Sequence, residues 1–260
     1  MPPTASVNRL RNSSRKNALA AAVAAFALAS LMGAAPAFAI DKIYSPHVVQ
    51  GEGELEYFGT RTFDNHRDKN DFQEHEISIG YGVTNWWAPE FYGIFEKQPD
   101  ESTRLTGMQF ENHFQLAEPG EYWVDPGLLV AYTHATHKED PDTLEVKLLL
   151  EKQTGKFLHR VNIGGEQEIG NHAQGGPDRV FLWGSRYRYD EHFEPGFEIQ
   201  SDFGKGSQFS SFSQQEHYIG PAAYGLIFPN VKYEAAYLFG VSDAASKGAA
   251  RVLLEYEKFF

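Results

Sequence analysis

From Gly51 to Phe260 the sequence alternates. At its end, Val252, Leu254, Tyr256, Lys258 and Phe260 share one parity, and Arg251, Leu253, Glu255, Glu257 and Phe259 share the other. Period two belongs to a β-strand, whose successive side chains point to opposite faces. The pattern recurs over 51–63 (Leu55, Tyr57 and Phe63 against Glu52, Glu54 and Glu56), 71–83 (Ile77, Ile79 and Tyr81 against Glu74 and Glu76) and 104–116 (Met108, Phe110 and Phe114 against Glu111 and His113). It recurs again over 143–153 (Leu144, Val146, Leu148 and Leu150 against Glu145, Lys147 and Glu151), 156–167 (Phe157, Val161 and Ile163 against Lys156 and Arg160), 179–189 (Phe181, Trp183 and Tyr187 against Arg186 and Arg188) and 231–241 (Val231, Tyr233 and Tyr237 against Lys232 and Glu234). Segments 87–97, 121–136, 196–204 and 214–225 read as strands with less sharply divided faces, which brings the count to about twelve, within a range of ten to fourteen. An all-β chain of evenly spaced, roughly ten-residue strands and an even strand count is the signature of a single antiparallel barrel. Tight breaks at 84–87, 117–120 and 153–155 alternate with longer polar ones at 64–70, 138–142, 170–178 and 205–213, as short turns and long loops do at the two ends of such a barrel.

Two face assignments fit this alternation. In a soluble protein the rings are the core and the charges meet water. In a membrane barrel the apolar face meets lipid and the charges line the lumen. The first 39 residues bear on the choice. Arg9, Arg11, Arg15 and Lys16 precede an Ala-rich apolar stretch from Ala18 to Ala35, which ends in Ala37-Phe38-Ala39. That is a Sec-type signal peptide with cleavage expected after Ala39, leaving one domain over 40–260. No later segment approaches the ~20 apolar residues that a spanning helix needs. An exported chain of this kind is a soluble periplasmic β-protein or an outer-membrane barrel. The terminal Phe260, with Tyr256, Leu254 and Val252 before it, resembles the C-terminal signature of bacterial outer-membrane proteins. It implies that these residues face lipid and are presented to the barrel-assembly machinery. Lys258 departs from that signature, and a lysine near a strand end snorkels to the interface.

On the barrel assignment the lumen is lined by Glu52, Glu54, Glu56, Glu74, Glu76, Glu111, Glu145, Lys147, Glu151, Arg160, Arg186, Arg188, Glu234, Arg251, Glu255 and Glu257. Enclosed charges must be paired or hydrated, and the mixture of signs permits pairing across the interior. The surplus of acids, in a chain of net charge -12 whose leader removes four basic residues and no acidic one, favours cations over anions. Small barrels also fill their interior with side chains, so a closed, structural lumen stands beside a conducting one.

Other chemistries find little support. With no cysteine there is no disulfide framework, thiolate metal site or cysteine nucleophile. The acidic balance disfavours a nucleic-acid partner, since phosphate binding needs a basic face. His134 and His137 lie on opposite parities beside the polar run Lys138–Asp142, which is loop-tip placement rather than a ligand pair. An outer-membrane acyl hydrolase carries a serine just after its histidine, whereas His172 is followed by Ala173. Gly184-Ser185 lacks the Gly-x-Ser-x-Gly elbow. The expectation is a protein that is not an enzyme and uses no cofactor or metal.

The motifs Ile43-Tyr44-Ser45-Pro46, Gly51-Glu52-Gly53-Glu54-Leu55-Glu56-Tyr57, Gly82-Val83-Thr84-Asn85-Trp86-Trp87 and His217-Tyr218-Ile219-Gly220-Pro221 are similar to those of proteobacterial outer-membrane proteins of the "MetA-pathway of phenol degradation" family. The resemblance spans most of residues 43–260. It implies an outer-membrane barrel that passes small solutes, including aromatic ones, and it carries over no catalytic or binding residue.

Overall fold

A computed structural model of the chain describes residues 40–206 and 209–260; the expected leader lies outside them. Twelve strands follow in order: β1 (Glu52–Phe63), β2 (Gln73–Tyr81), β3 (Trp87–Lys97), β4 (Arg104–Gln115), β5 (Asp125–Ala135), β6 (Asp142–Thr154), β7 (Phe157–Ile169), β8 (Val180–Tyr187), β9 (Glu194–Asp202), β10 (Glu216–Phe228), β11 (Val231–Gly240) and β12 (Gly248–Phe259). Each pairs antiparallel with its sequence neighbour, and β1 pairs with β12 to close the barrel. That seam is unbroken from Glu52↔Phe259 to Phe63↔Gly248. Closure leaves no strand edge among the twelve, so the backbone groups of the wall are satisfied within it, the condition for crossing hydrocarbon.

β1 begins and β12 ends at one end of the barrel, where Phe260 N donates to Gly51 O at 3.0 Å. The two-residue turns 155–156 and 229–230 lie at that end, with Gly155 at φ +60°, a left-handed conformation that favours glycine. The longer connections 64–72, 170–179 and 203–215 lie at the other end. One connection departs from the expected tight break at 117–120: β4 ends at Gln115 and β5 starts at Asp125, and the loop between them turns where Gly120 N donates to Asp125 Oδ1 at 2.7 Å. It presents Tyr122 and Trp123 to the exterior, as an aromatic girdle at a membrane interface would.

The outer face is apolar. Ile79, Met108, Phe91 and Leu55 are each more than half exposed, and Leu148, Leu254 and Tyr256 project from the same surface. The interior holds charge: Lys147 and Glu111 are 1% exposed, Arg251 3% and Glu198 0%. This is the inverse of a water-soluble protein, in which an exposed apolar surface of such extent is not tolerated. The fold is a twelve-stranded antiparallel barrel of the transmembrane type.

Leu148 occupies the centre of β6 on this outer face. Leu148→Arg is expected to destabilise the barrel by about 2–4 kcal/mol in urea titrations on lipid vesicles, and Phe157→Arg, near a strand end, by about 1 kcal/mol or less. Equal costs at the two positions would contradict the lipid-facing assignment.

Candidate functional site

The lumen is occupied by the segment on the N-terminal side of β1. Residues 40–50 precede β1, turn inward and cross between the walls. Ile40 is buried in an apolar cluster with Tyr218, Ala236, Leu238 and Ala249. Asp41 N donates to Gln200 Oε1 at 2.9 Å, Gln200 Nε2 donates back to Asp41 O at 3.1 Å, and the Asp41 carboxylate pairs with Lys147. Tyr44 N donates to Asn162 Oδ1 at 2.7 Å and Asn162 Nδ2 returns a bond to Tyr44 O at 3.0 Å. The Tyr44 hydroxyl donates to Glu111 at 3.1 Å. Ser45 Oγ donates to Glu151 at 3.2 Å, and Val48 N donates to Gln115 Oε1 at 2.9 Å. Pro46 lies against Gly127, where a Cβ would come within 2.8 Å of Pro46 Cα. The segment's peptide groups are thus met by amide side chains of the wall rather than by a strand ladder, which answers the requirement that buried backbone polar groups be paired.

Beneath the segment runs a continuous ionic chain. Glu198 on β9 forms a two-pronged pair with Arg251 on β12, and the Tyr224 hydroxyl donates to Glu198 at 2.6 Å. Arg251 Nη2 reaches Glu234 on β11 at 2.9 Å. Arg160 Nη1 on β7 lies 3.7 Å from the other oxygen of Glu234, and Arg160 Nε donates to Glu151 on β6 at 2.7 Å. His47 of the N-terminal segment closes the chain, with Nε2 at 3.1 Å from Glu151 and 3.7 Å from Asp125. Signs alternate along the series, which is what lets charges persist away from bulk water.

A cavity of about 310 Å³ remains beside the segment. Glu54, Glu90, Glu111 and Glu255 line it from the β12–β1–β3–β4 side, and Arg160, Arg186 and Arg188 from the β7–β8 side. The arginines have partners: Arg186 and Arg188 both lie beside Glu194, at 3.1 and 3.2 Å. On the acidic side the cations are Lys42, 2.5 Å from Glu56, and Lys232, which pairs with Glu255 and Glu257.

The residues assigned to the lumen from sequence are placed as follows. Glu52, Glu56, Glu111, Lys147, Glu151 and Arg251 are buried; Glu54, Glu74, Glu76, Glu145, Arg160, Arg186, Glu234, Glu255 and Glu257 are partly so. Arg188 lies past the end of β8 and is exposed at the rim, because the chain turns there into the Asp190–Phe193 bridge. Val252 is partly exposed and Leu254, Tyr256 and Phe260 are exposed. Lys258 sits 5.0 Å from the centre of the Phe260 ring. His134 pairs with Asp142 at 2.9 Å, and His137 lies in the following connection. Among the described residues the carboxylates of Glu52, Glu54 and Glu257 converge closely enough to share a cation.

Sequence reasoning did not find the lumenal segment, Glu198, or the inward apolar set Phe58, Leu129, Leu149, Leu182, Leu238 and Leu253, all 2% exposed or less. A signal for part of that set exists. Leu128-Leu129, Leu148-Leu149-Leu150 and Phe181-Leu182-Trp183 break the alternation by being apolar on both parities.

No family model matches the sequence, and no curated protein matches it. By structure the chain is similar to an outer-membrane channel from Pseudomonas putida F1, with a TM-score of 0.61 and 13% identity over 85% of this chain and 100% of that one. It is also similar to the NanC porin, with a TM-score of 0.51 and 12% identity over 79% of this chain and 99% of that one. At such identities what is shared is the barrel.

Two outcomes follow from the ionic chain. Arg251→Met leaves Glu198 enclosed without its cation and is expected to cost about 3–5 kcal/mol in urea unfolding, most of it recovered in the double variant Arg251→Met/Glu198→Gln. The hydrogen bond to Glu151 holds His47 protonated above the ordinary histidine value, with Asp125 adding to this and burial and Arg160 opposing it; His113 also faces the ring. A raised pKa means that the stabilisation from protonated His47 is complete below about pH 6.5 and is lost as pH rises through the raised value. Thermal unfolding from about pH 6 to pH 9 is expected to show a downward step that His47→Gln removes.

Proposed function

We propose that this protein is an outer-membrane channel for the passive passage of small solutes, narrowed by its own N-terminal segment. The carrying observation is how that segment is held. It is fixed by side-chain hydrogen bonds and ion pairs, while the wall is closed independently by the β1–β12 seam. The segment can therefore leave the lumen without opening the barrel. The apolar exterior, the polar cavity and the likeness to channel and porin barrels support the same reading. Export through a Sec-type signal and insertion by the assembly machinery through the C-terminal strand complete it.

The solute class follows from the lining. Aromatic solutes, implied by the family resemblance, would find among the described residues only Tyr44 and Tyr233 as tyrosine, phenylalanine or tryptophan partners in the cavity. Carboxylates on one side exceed their cations, whereas Arg160, Arg186 and Arg188 opposite are matched by Glu151, Glu194 and Glu234. Passage of cations and small polar solutes is favoured over that of anions.

Single-channel recording in planar bilayers tests this. The intact mature chain is expected to give a small, cation-preferring conductance. A variant lacking residues 40–49 is expected to conduct several-fold more. If both fold and neither conducts, the barrel is a closed structural or surface-interaction protein.

A further inference from the structure

Lys42 is the only lysine or arginine in residues 40–50, and it is seated among carboxylates. Its Nζ lies 2.5 Å from Glu56 Oε2 and 4.9 Å from the centre of the Tyr44 ring. Glu90, Glu111 and Glu255 also act on its charge. Glu56 and Glu111 are 3% and 1% exposed, so this is an enclosed pocket of the wall and not a solvated acidic face. Glu56 Oε1 and the hydroxyl of Tyr92 are both buried without a hydrogen-bond partner, and Tyr92 faces Glu111, Glu90, Tyr44 and Glu56. Leaving such groups unmet is costly, and an ammonium offers three donors, of which Lys42 directs one to Glu56.

We propose that Glu56, Glu90, Glu111, Tyr44 and Tyr92 form a binding site for the ammonium group of a small organic amine, and that Lys42 holds this site as a tethered competitor. The inference rests on the channel reading above and names its solute. An amine entering from the adjoining cavity, which Lys42, Tyr44, Glu90 and Glu111 line, supplies free donors to the unmet oxygens and displaces Lys42. The N-terminal segment then loses its hold on β1. A ring face beside the seat selects an organic cation. A bare metal ion would need convergent oxygens, and among the described residues those belong to Glu52, Glu54 and Glu257 instead.

The test is binding of n-butylammonium to the full mature chain in detergent micelles, followed by ligand-detected NMR and calorimetry, with n-butanol and butyrate as neutral and anionic probes of similar size. Removing the competitor in Lys42→Met or Lys42→Gln is expected to tighten n-butylammonium binding about tenfold or more, since the open site is then fully populated. Glu56→Gln in the Lys42→Met background is expected to abolish the gain, and Tyr92→Phe to reduce it. Neither n-butanol nor butyrate should bind. Equal affinity in wild type and both Lys42 variants, no detectable binding by either variant, or comparable binding of butyrate overturns the proposal. Failure of both variants to fold overturns it as well, because Lys42 would then be a structural cation. The same preparations are recorded in bilayers. Conductance without amine binding defeats this proposal and spares the channel, and amine binding without conductance does the reverse.

Discussion

Closure of β1 onto β12 is the constraint from which the rest of this architecture follows. In hydrocarbon an unpaired peptide group costs several kcal/mol, so a strand-built wall survives only without an edge. Once the ring is shut, period-two alternation has one solution: one parity must suit lipid and the other must suit an enclosed interior. The rings and branched residues take the outside, and Glu111, Lys147, Glu198 and Arg251 are left within. The interior chemistry is thus a consequence of the exterior requirement.

An interior with so many ionisable groups persists only if their charges are organised. Glu198, Arg251, Glu234, Arg160, Glu151 and His47 form one alternating series through β9, β12, β11, β7, β6 and the N-terminal segment. Replacing one member by a neutral residue strands a neighbour, and that asymmetry makes such a series more a device for registry than for net stability. It also divides the lumen. On the β7–β11 side cations and anions are matched, while the carboxylates around Lys42 on β1, β3, β4 and β12 are in excess. The field across the remaining cavity is therefore set by one side.

Much of this was legible in the sequence. The strand count, the parity of Leu254 and Tyr256, and the inward candidates Glu56, Glu111 and Arg251 could be read because lipid imposes a strict repeat on the outer face. The inner face answers to partners distant in sequence and has no such repeat. Leu149 and Leu182 are inward and apolar because the barrel interior is packed as well as charged. Residues 40–50 alternate weakly and pair with no strand, so their role depends on Asn162 and Gln200, more than a hundred residues away. Arg188 marks the edge of the repeat: its parity continues that of β8 and it reaches the cavity and Glu194, but it is exposed because the chain has already turned.

The tether explains why such a segment is effective in spite of weak individual contacts. Joined to β1 at Gly51, it meets its lumenal partners at an effective concentration on the order of millimolar, which no dilution reduces. On the channel proposal, the contacts with Asn162, Gln200 and Glu56 exchange for water that enters as the segment leaves, because amide side chains and carboxylates are readily rehydrated. The strand ladder has no such alternative in lipid. On that proposal permanence belongs to the wall and reversibility to the segment. On the proposal that Lys42 is a tethered competitor, a solute that loosens the segment must match it on its own chemistry, and selection then falls to the carboxylates around Lys42 and not to the rim.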